Sequence, residues 1–246
     1  MAALASLDTL RRTSTLLLML AAACLAPPRA FADATAPAGR VIATVGDVRV
    51  VDRHGIVREA TQGGEVREGE VIKTGTNALG QLRLADGTLL SVRAGSVLKI
   101  EKFSYAGEHD TKASAFISLA VGGFRWLTGL IGKVNRDGVR VTTPNATIGI
   151  RGTDFEPVFV PAAAPGEPGA AGAGAYVRVY AGEVSIRNLQ GIAQSVLPNQ
   201  VAFAAIGGTP PVLLRAIPTR IYPTPTPLPK LAPQGKGDGD TAAGEA

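Results

Sequence analysis

Apolar and polar positions alternate along most of this chain. From Gly39 to Ile206 the repeat is two residues, the spacing of side chains on one face of a strand, not the roughly 3.6 of a helix. Val41, Ala43 and Val45 interleave with Ile42 and Thr44, and Leu82 and Leu84 with Gln81, Arg83 and Ala85. Thr88–Val92 and Val97–Glu101 follow in the same rhythm. Further strands are predicted at Phe116–Val121, Phe124–Leu127, Val139–Thr142, Thr147–Ile150, Phe155–Val160, Tyr176–Tyr180, Val184–Arg187 and Val201–Ala205. No segment carries a sustained helical stripe.

Turn residues divide these runs at short, regular intervals, as in all-β sandwiches and barrels. Asp52-Arg53-His54-Gly55 reads as a turn, and Asp86-Gly87 as a type I′ hairpin with positive φ at both central positions. Gly122-Gly123, Gly149, Gly152 and Gly182 fall at strand ends or inside strand patterns, where glycine signals bulges or close backbone approach. No phosphate-binding glycine motif is present. The expected class is all-β: a twisted two-sheet sandwich, with a β-roll or short solenoid of hairpin strands as the alternative.

The ends differ from the body. Arg11 and Arg12, the apolar run Thr15–Ala26 and Ala30-Phe31-Ala32 read as a secretory signal cleaved after Ala32. The run is too short for a stable membrane span. Acylation of Cys24 is the weaker alternative, because Ala21 stands where lipoprotein signals carry leucine. The expected organisation is a signal peptide (1–32), a linker (33–38), a β domain (39–206) and a Pro-rich disordered tail (207–246). The 161–175 stretch within the domain reads as a flexible Gly/Ala/Pro loop. The tail holds 8 of the 17 prolines, and Tyr222–Pro229 should be extended, since proline fixes φ and lacks an N–H.

Composition narrows the function. Loss of residues 1–32 removes three arginines and one aspartate, so the net charge falls from +5 to +3, too weak to suggest nucleic acid. Cys24 is the only cysteine, so a mature chain would have no disulfide, thiolate metal site or thiol nucleophile. No cofactor, metal site or catalytic residue is assigned.

Several phrases then fall in order: Gly69–Gly75, Asn77–Thr88, Leu119–Arg125, Thr143–Phe155 (TPNATIGIRGTDF) and Val179–Val184. Together they resemble the FecR-like periplasmic domain family over roughly Gly39 to Asn188. The resemblance implies an all-β domain of the bacterial envelope, engaged in signalling or scaffolding. Its best-known members are anti-sigma regulators with a cytoplasmic sigma-binding segment and a transmembrane helix. Only the β domain carries over to this sequence. The first expectation is a periplasmic or secreted, non-catalytic module that binds an envelope protein or a peptidoglycan glycan. The alternative is the periplasmic part of a transmembrane signalling system whose sensor or sigma regulator is a separate chain. A polysaccharide-active protein is the enzyme-class alternative.

Three residues are candidate binding groups. Arg151, beside Gly152, could present a guanidinium, although pairing with Asp154 or Glu156 is the expectation. Thr153 would bond backbone at a bend. Trp126 could stack on a sugar, although core packing with Phe124, two residues away, is preferred. His54 and His109 read as solvated loop residues. Glu65, Glu68, Glu70, Glu101, Glu108 and Asp110 read as a solvated charged face.

Overall fold

A computed structural model describes residues 36–163 and 172–229. The expected signal peptide with Cys24, most of the 161–175 stretch and the end of the tail lie outside the described residues. The chain runs through β1 (Gly39–Val45), β2 (Val48–Val51), β3 (Val57–Glu59), β4 (Glu65–Val66), β5 (Val71–Thr74), β6 (Leu79–Leu84), β7 (Leu89–Val92) and β8 (Val97–Ser104). Then come β9 (Ser114–Leu127), one short helix α1 (Ile131–Val134), β10 (Val139–Thr142), β11 (Ala146–Val160), β12 (Gly174–Asn188), β13 (Ala193–Val196), β14 (Val201–Ala205) and β15 (Val212–Leu213). The expected all-β class is what the chain forms.

Three strands organise the molecule: β9, β11 and β12 are 14, 15 and 15 residues long. Each changes neighbours part-way along. The first half of β9 pairs with β8 and, in parallel, with β10; its second half pairs with β7 and β11. The first half of β11 lies against β10 and the end of β12, and its second half against the start of β12 and the end of β9. β12 passes from β14 to β13. The result is two layers, ordered β13-β12-β11-β10-β9-β8-β5-β2-β3 and β15-β14-β12-β11-β9-β7-β6-β1-β4, that share these three strands and form one hydrogen-bonded network. This is the sandwich geometry in which strands turn a corner from one sheet into the other.

The corners are glycines. Gly122, Gly152 and Gly182 have φ of 82°, 56° and 79°, a region that favours glycine. The period-two pattern predicts two strands on either side of each; the structure has one strand that bends. The alternation slips by one residue at each corner, from odd to even core positions in β9 and β12 and from even to odd in β11, so side chains on both halves point into a common core. Phe124, Trp126, Phe155, Val177 and Val179 fill it from one layer, and Ile117, Ile148, Ile150, Val184 and Ile186 from the other.

The Asp86-Gly87 hairpin forms, with a different turn. Gly87 has φ of 85°, while Asp86 is not among the positive-φ residues, so the turn is not type I′. Asp86 is buried instead, and its carboxylate accepts from the Thr88 amide (3.0 Å), the Thr88 hydroxyl (2.8 Å) and the Ile131 amide at α1 (3.3 Å).

The disordered-tail expectation fails for residues 210–229. β15 pairs with β14, and Ile221, Tyr222 and Thr226 are buried. The cause is the outer face of the second layer. Val158, Tyr176 and Val201 occupy outward positions there, and Ile221 and Tyr222 cover them.

Candidate functional site

Period two places Asp154 and Glu156 on one side of β11 and Phe155 on the other. On β12 it does the same for Arg178 and Tyr180 against Val177 and Val179. Arg125 of β9 stands between the core residues Phe124 and Trp126 and points the same outward way. The second layer therefore carries a patch of ionisable side chains on its outer face, beside the apolar cluster under Ile221 and Tyr222. The segment Pro218–Pro229 crosses both.

Glu156 is the centre of the patch, with its side chain 0% exposed. A buried carboxylate needs partners on both oxygens, and this one has three donors. Arg93 donates to Oε1 at 3.2 Å, the Tyr180 hydroxyl to Oε2 at 2.6 Å, and the Thr226 hydroxyl to Oε1. The Tyr222 hydroxyl donates to the Glu156 carbonyl at 3.0 Å. Beside it, Arg125 grips Asp154 through two bonds, Nε to Oδ1 at 2.8 Å and Nη2 to Oδ2 at 2.7 Å. Its remaining nitrogen reaches the Thr226 carbonyl at 2.9 Å. The guanidiniums of Arg125 and Arg178 lie over the Tyr180 ring, 4.2 and 4.7 Å from its centroid.

The electrostatics follow from these contacts. Burial pushes the Tyr180 phenol up, and its bond to Glu156 adds to the shift. Burial likewise holds the Tyr222 phenol well above the ordinary range. The hydrogen bond to Asp154 raises Arg125 further against the opposing effect of burial. The two phenols are thus neutral donors at ordinary pH. The arrangement can hold an extended segment by hydroxyl and carbonyl groups. Each carboxylate oxygen of Asp154 and Glu156 already holds a donor.

A second concavity lies on the outer face of the other layer. It measures about 510 Å³ and is lined by Asp137, Arg140, Gly149, Glu183, Arg187 and Ser195, among others. Ser195 donates to Glu183 at 2.6 Å across it.

The residues singled out from sequence are not brought together at either place. Trp126 is 0% exposed, with ring centroids 6.2 Å from both Phe124 and Phe155, so it is a core residue and not a sugar platform. Thr153 is buried at the β11 corner, where its amide and carbonyl bond to Thr128. Asp154 and Glu156 take Arg125 and Arg93; the side chain of Arg151 lies outside the described residues. Of the acids read as solvated, Glu70 is 7% exposed and held by Arg58 at 2.8 Å. His54 and His109 are exposed, and no group of three or more His, Cys, Asp or Glu that could hold a metal occurs among the described residues. Sequence reasoning missed Glu156, Arg93, Tyr180, Tyr222 and Thr226. The available signal was the presence of Val158, Tyr176, Val201 and Phe203 on a face that the alternation assigns to solvent.

The sequence model of the FecR protein family matches residues 70–185. These residues are a FecR domain. No curated protein matches the chain. Two crystal structures assigned as an anti-sigma factor of Parabacteroides distasonis ATCC 8503 are similar at 17% identity and a TM-score of 0.43. The similarity covers 61% of this chain and 62% of that one. Arg93, Arg125, Asp154, Glu156, Arg178 and Tyr180 all belong to the FecR domain, whereas Tyr222 and Thr226 come from beyond it. The domain supplies the face, and the C-terminal extension supplies what lies on it. β1–β4 precede the matched residues yet extend both layers.

Proposed function

We infer that this protein is a non-catalytic regulatory module: the periplasmic part of a transmembrane signalling system that works by binding a protein partner. The partner is a membrane sensor or sigma regulator encoded as a separate chain. The observation that carries the reading is the FecR match over residues 70–185, which includes β9, β11 and β12 as far as Ser185. It supports the signalling reading better than the broader one of a glycan-binding envelope protein. The chemistry of the buried acids is consistent with a non-catalytic role. A general base needs a lone pair facing its substrate. Asp154, Glu156 and Glu70 are instead held by arginines and by hydroxyl or amide donors. No helix among the described residues is long and apolar enough to cross a membrane. Export by the 1–32 segment is part of the same reading.

The test is in-cell crosslinking of the tagged full chain, followed by mass spectrometry of the captured material. Recovery of one membrane sensor or sigma regulator in near-equal amount is the expected result. Recovery of peptidoglycan fragments, or of no specific protein, would sink the signalling reading.

A further inference from the structure

The segment that closes the outer face of the second layer touches it as a ligand touches a site. From Pro218 to Pro229 no residue joins a strand. The polar bonds holding the segment to the sheet involve a side chain at one end or both. Tyr222 and Thr226 donate hydroxyls to Glu156, while the Thr226 and Pro227 carbonyls accept from Arg125 and Gln81. Tyr222 and Thr226 are buried, and Pro223, Thr224 and Pro225 between them are exposed. The segment is thus a pair of anchors joined by a spacer. Pro223 and Thr224 form a bend between the anchors, which brings both hydroxyls to one residue, Glu156. Pro223, Pro225 and Pro227 fix φ through this stretch, so less chain freedom is lost on docking than for a segment without proline.

The receiving face does not depend on the segment for its own assembly. Arg93 and Tyr180 hold the Glu156 carboxylate, and Arg125 holds Asp154, all from within the FecR domain. Without the segment, this face would keep an acceptor at Glu156, a donor at Arg125 and an apolar floor of Val158, Tyr176 and Val201.

We propose that this face is a peptide-binding site which the chain's own Tyr222–Thr226 segment fills in cis. The protein partner inferred above presents a proline-rich segment, with a tyrosine and a threonine four residues apart, that exchanges with it. The existence of that partner rests on the functional reading already given; the site does not.

The experiment uses the full chain with a protease recognition sequence inserted at the exposed Arg215-Ala216, between β15 and the docked segment. The probe is a labelled synthetic peptide of residues 217–229, followed by fluorescence anisotropy. Cut protein is expected to bind the peptide saturably, at least tenfold more tightly than uncut protein. A covalent tether gives the cis segment an effective concentration of order mM, which the free peptide must overcome. Tyr222→Ala or Thr226→Val in the peptide, or Glu156→Gln in the protein, should each weaken binding at least tenfold. Cut protein that keeps its β circular dichroism but takes up no peptide would overturn the proposal. So would equal uptake of the parent and substituted peptides. A second variant needs no cleavage: the uncut chain carrying Tyr222→Ala and Thr226→Val should bind the parent peptide at least tenfold better than wild type, and equal binding overturns the proposal. Failure to capture any partner in cells would instead sink the signalling reading and leave the peptide result standing.

Discussion

Trp126 is the only tryptophan of the protein, and it lies wholly inside the core between Phe124 and Phe155. Its emission should be blue-shifted in the folded protein and move to the red on unfolding, giving a direct optical readout of the core. Trp126→Ala should cost about 3–5 kcal/mol, the scale for truncating a buried aromatic, as measured by urea unfolding. Glu156 is expected to be as sensitive for another reason. Glu156→Ala leaves the Arg93 charge and the Tyr180 and Thr226 hydroxyls without their acceptor, and breaking a buried pair in this way costs about 3–5 kcal/mol. The same denaturation measurement should show it. The two residues differ in how legible they are. Trp126 shares a strand face with Phe124 at a spacing of two, and its burial follows from that pattern. Glu156 sits at an outward position of β11, and its cover comes from Thr226, 70 residues further along the chain. Local alternation carries no information about that contact.

At the scale of elements, the strand positions were readable and the strand continuity was not. Val139–Thr142 and Val201–Ala205 form strands with the bounds that alternation predicts. Around Gly122, Gly152 and Gly182 the same alternation predicts ends where the chain turns a corner. Glycine signals a break in local geometry but not whether hydrogen bonding resumes on the far side. The corners also differ among themselves. A Cβ at Gly152 would meet nothing within 4 Å, whereas at Gly182 it would fall 2.5 Å from the Gly152 carbonyl oxygen and 2.6 Å from Thr153 Cγ2. Gly152→Ala should therefore cost only the strain of a left-handed backbone, about 1–2 kcal/mol. Gly182→Ala should add a further ~1–3 kcal/mol from overpacking. Thermal unfolding of the two variants side by side gives the order, and a Gly152→Ala protein less stable than Gly182→Ala would contradict the corner geometry.

For the whole molecule, the docked C-terminal segment ties stability to alkaline pH. Tyr180 and Tyr222 have their phenols raised by burial, so the folded protein holds these protons more tightly than the unfolded chain. Their contribution is intact below the ordinary phenol value of about 10 and is lost as pH rises above it toward the folded values. Urea midpoints should fall above about pH 10, with tyrosinate absorbance appearing together with unfolding. Tyr222→Phe should make that fall shallower. The two layers themselves face a different constraint. In an aligned sandwich the two sheets are joined by loops and by interdigitated side chains, with no strand common to both. Here three strands run unbroken from one layer into the other, at Gly122, Gly152 and Gly182, so neither layer can be peeled away while the other stays folded. Pulled from its two ends, the molecule should give way in a single rupture with no half-unwrapped stage. As a mechanical part it should carry a pull without absorbing it by stretching.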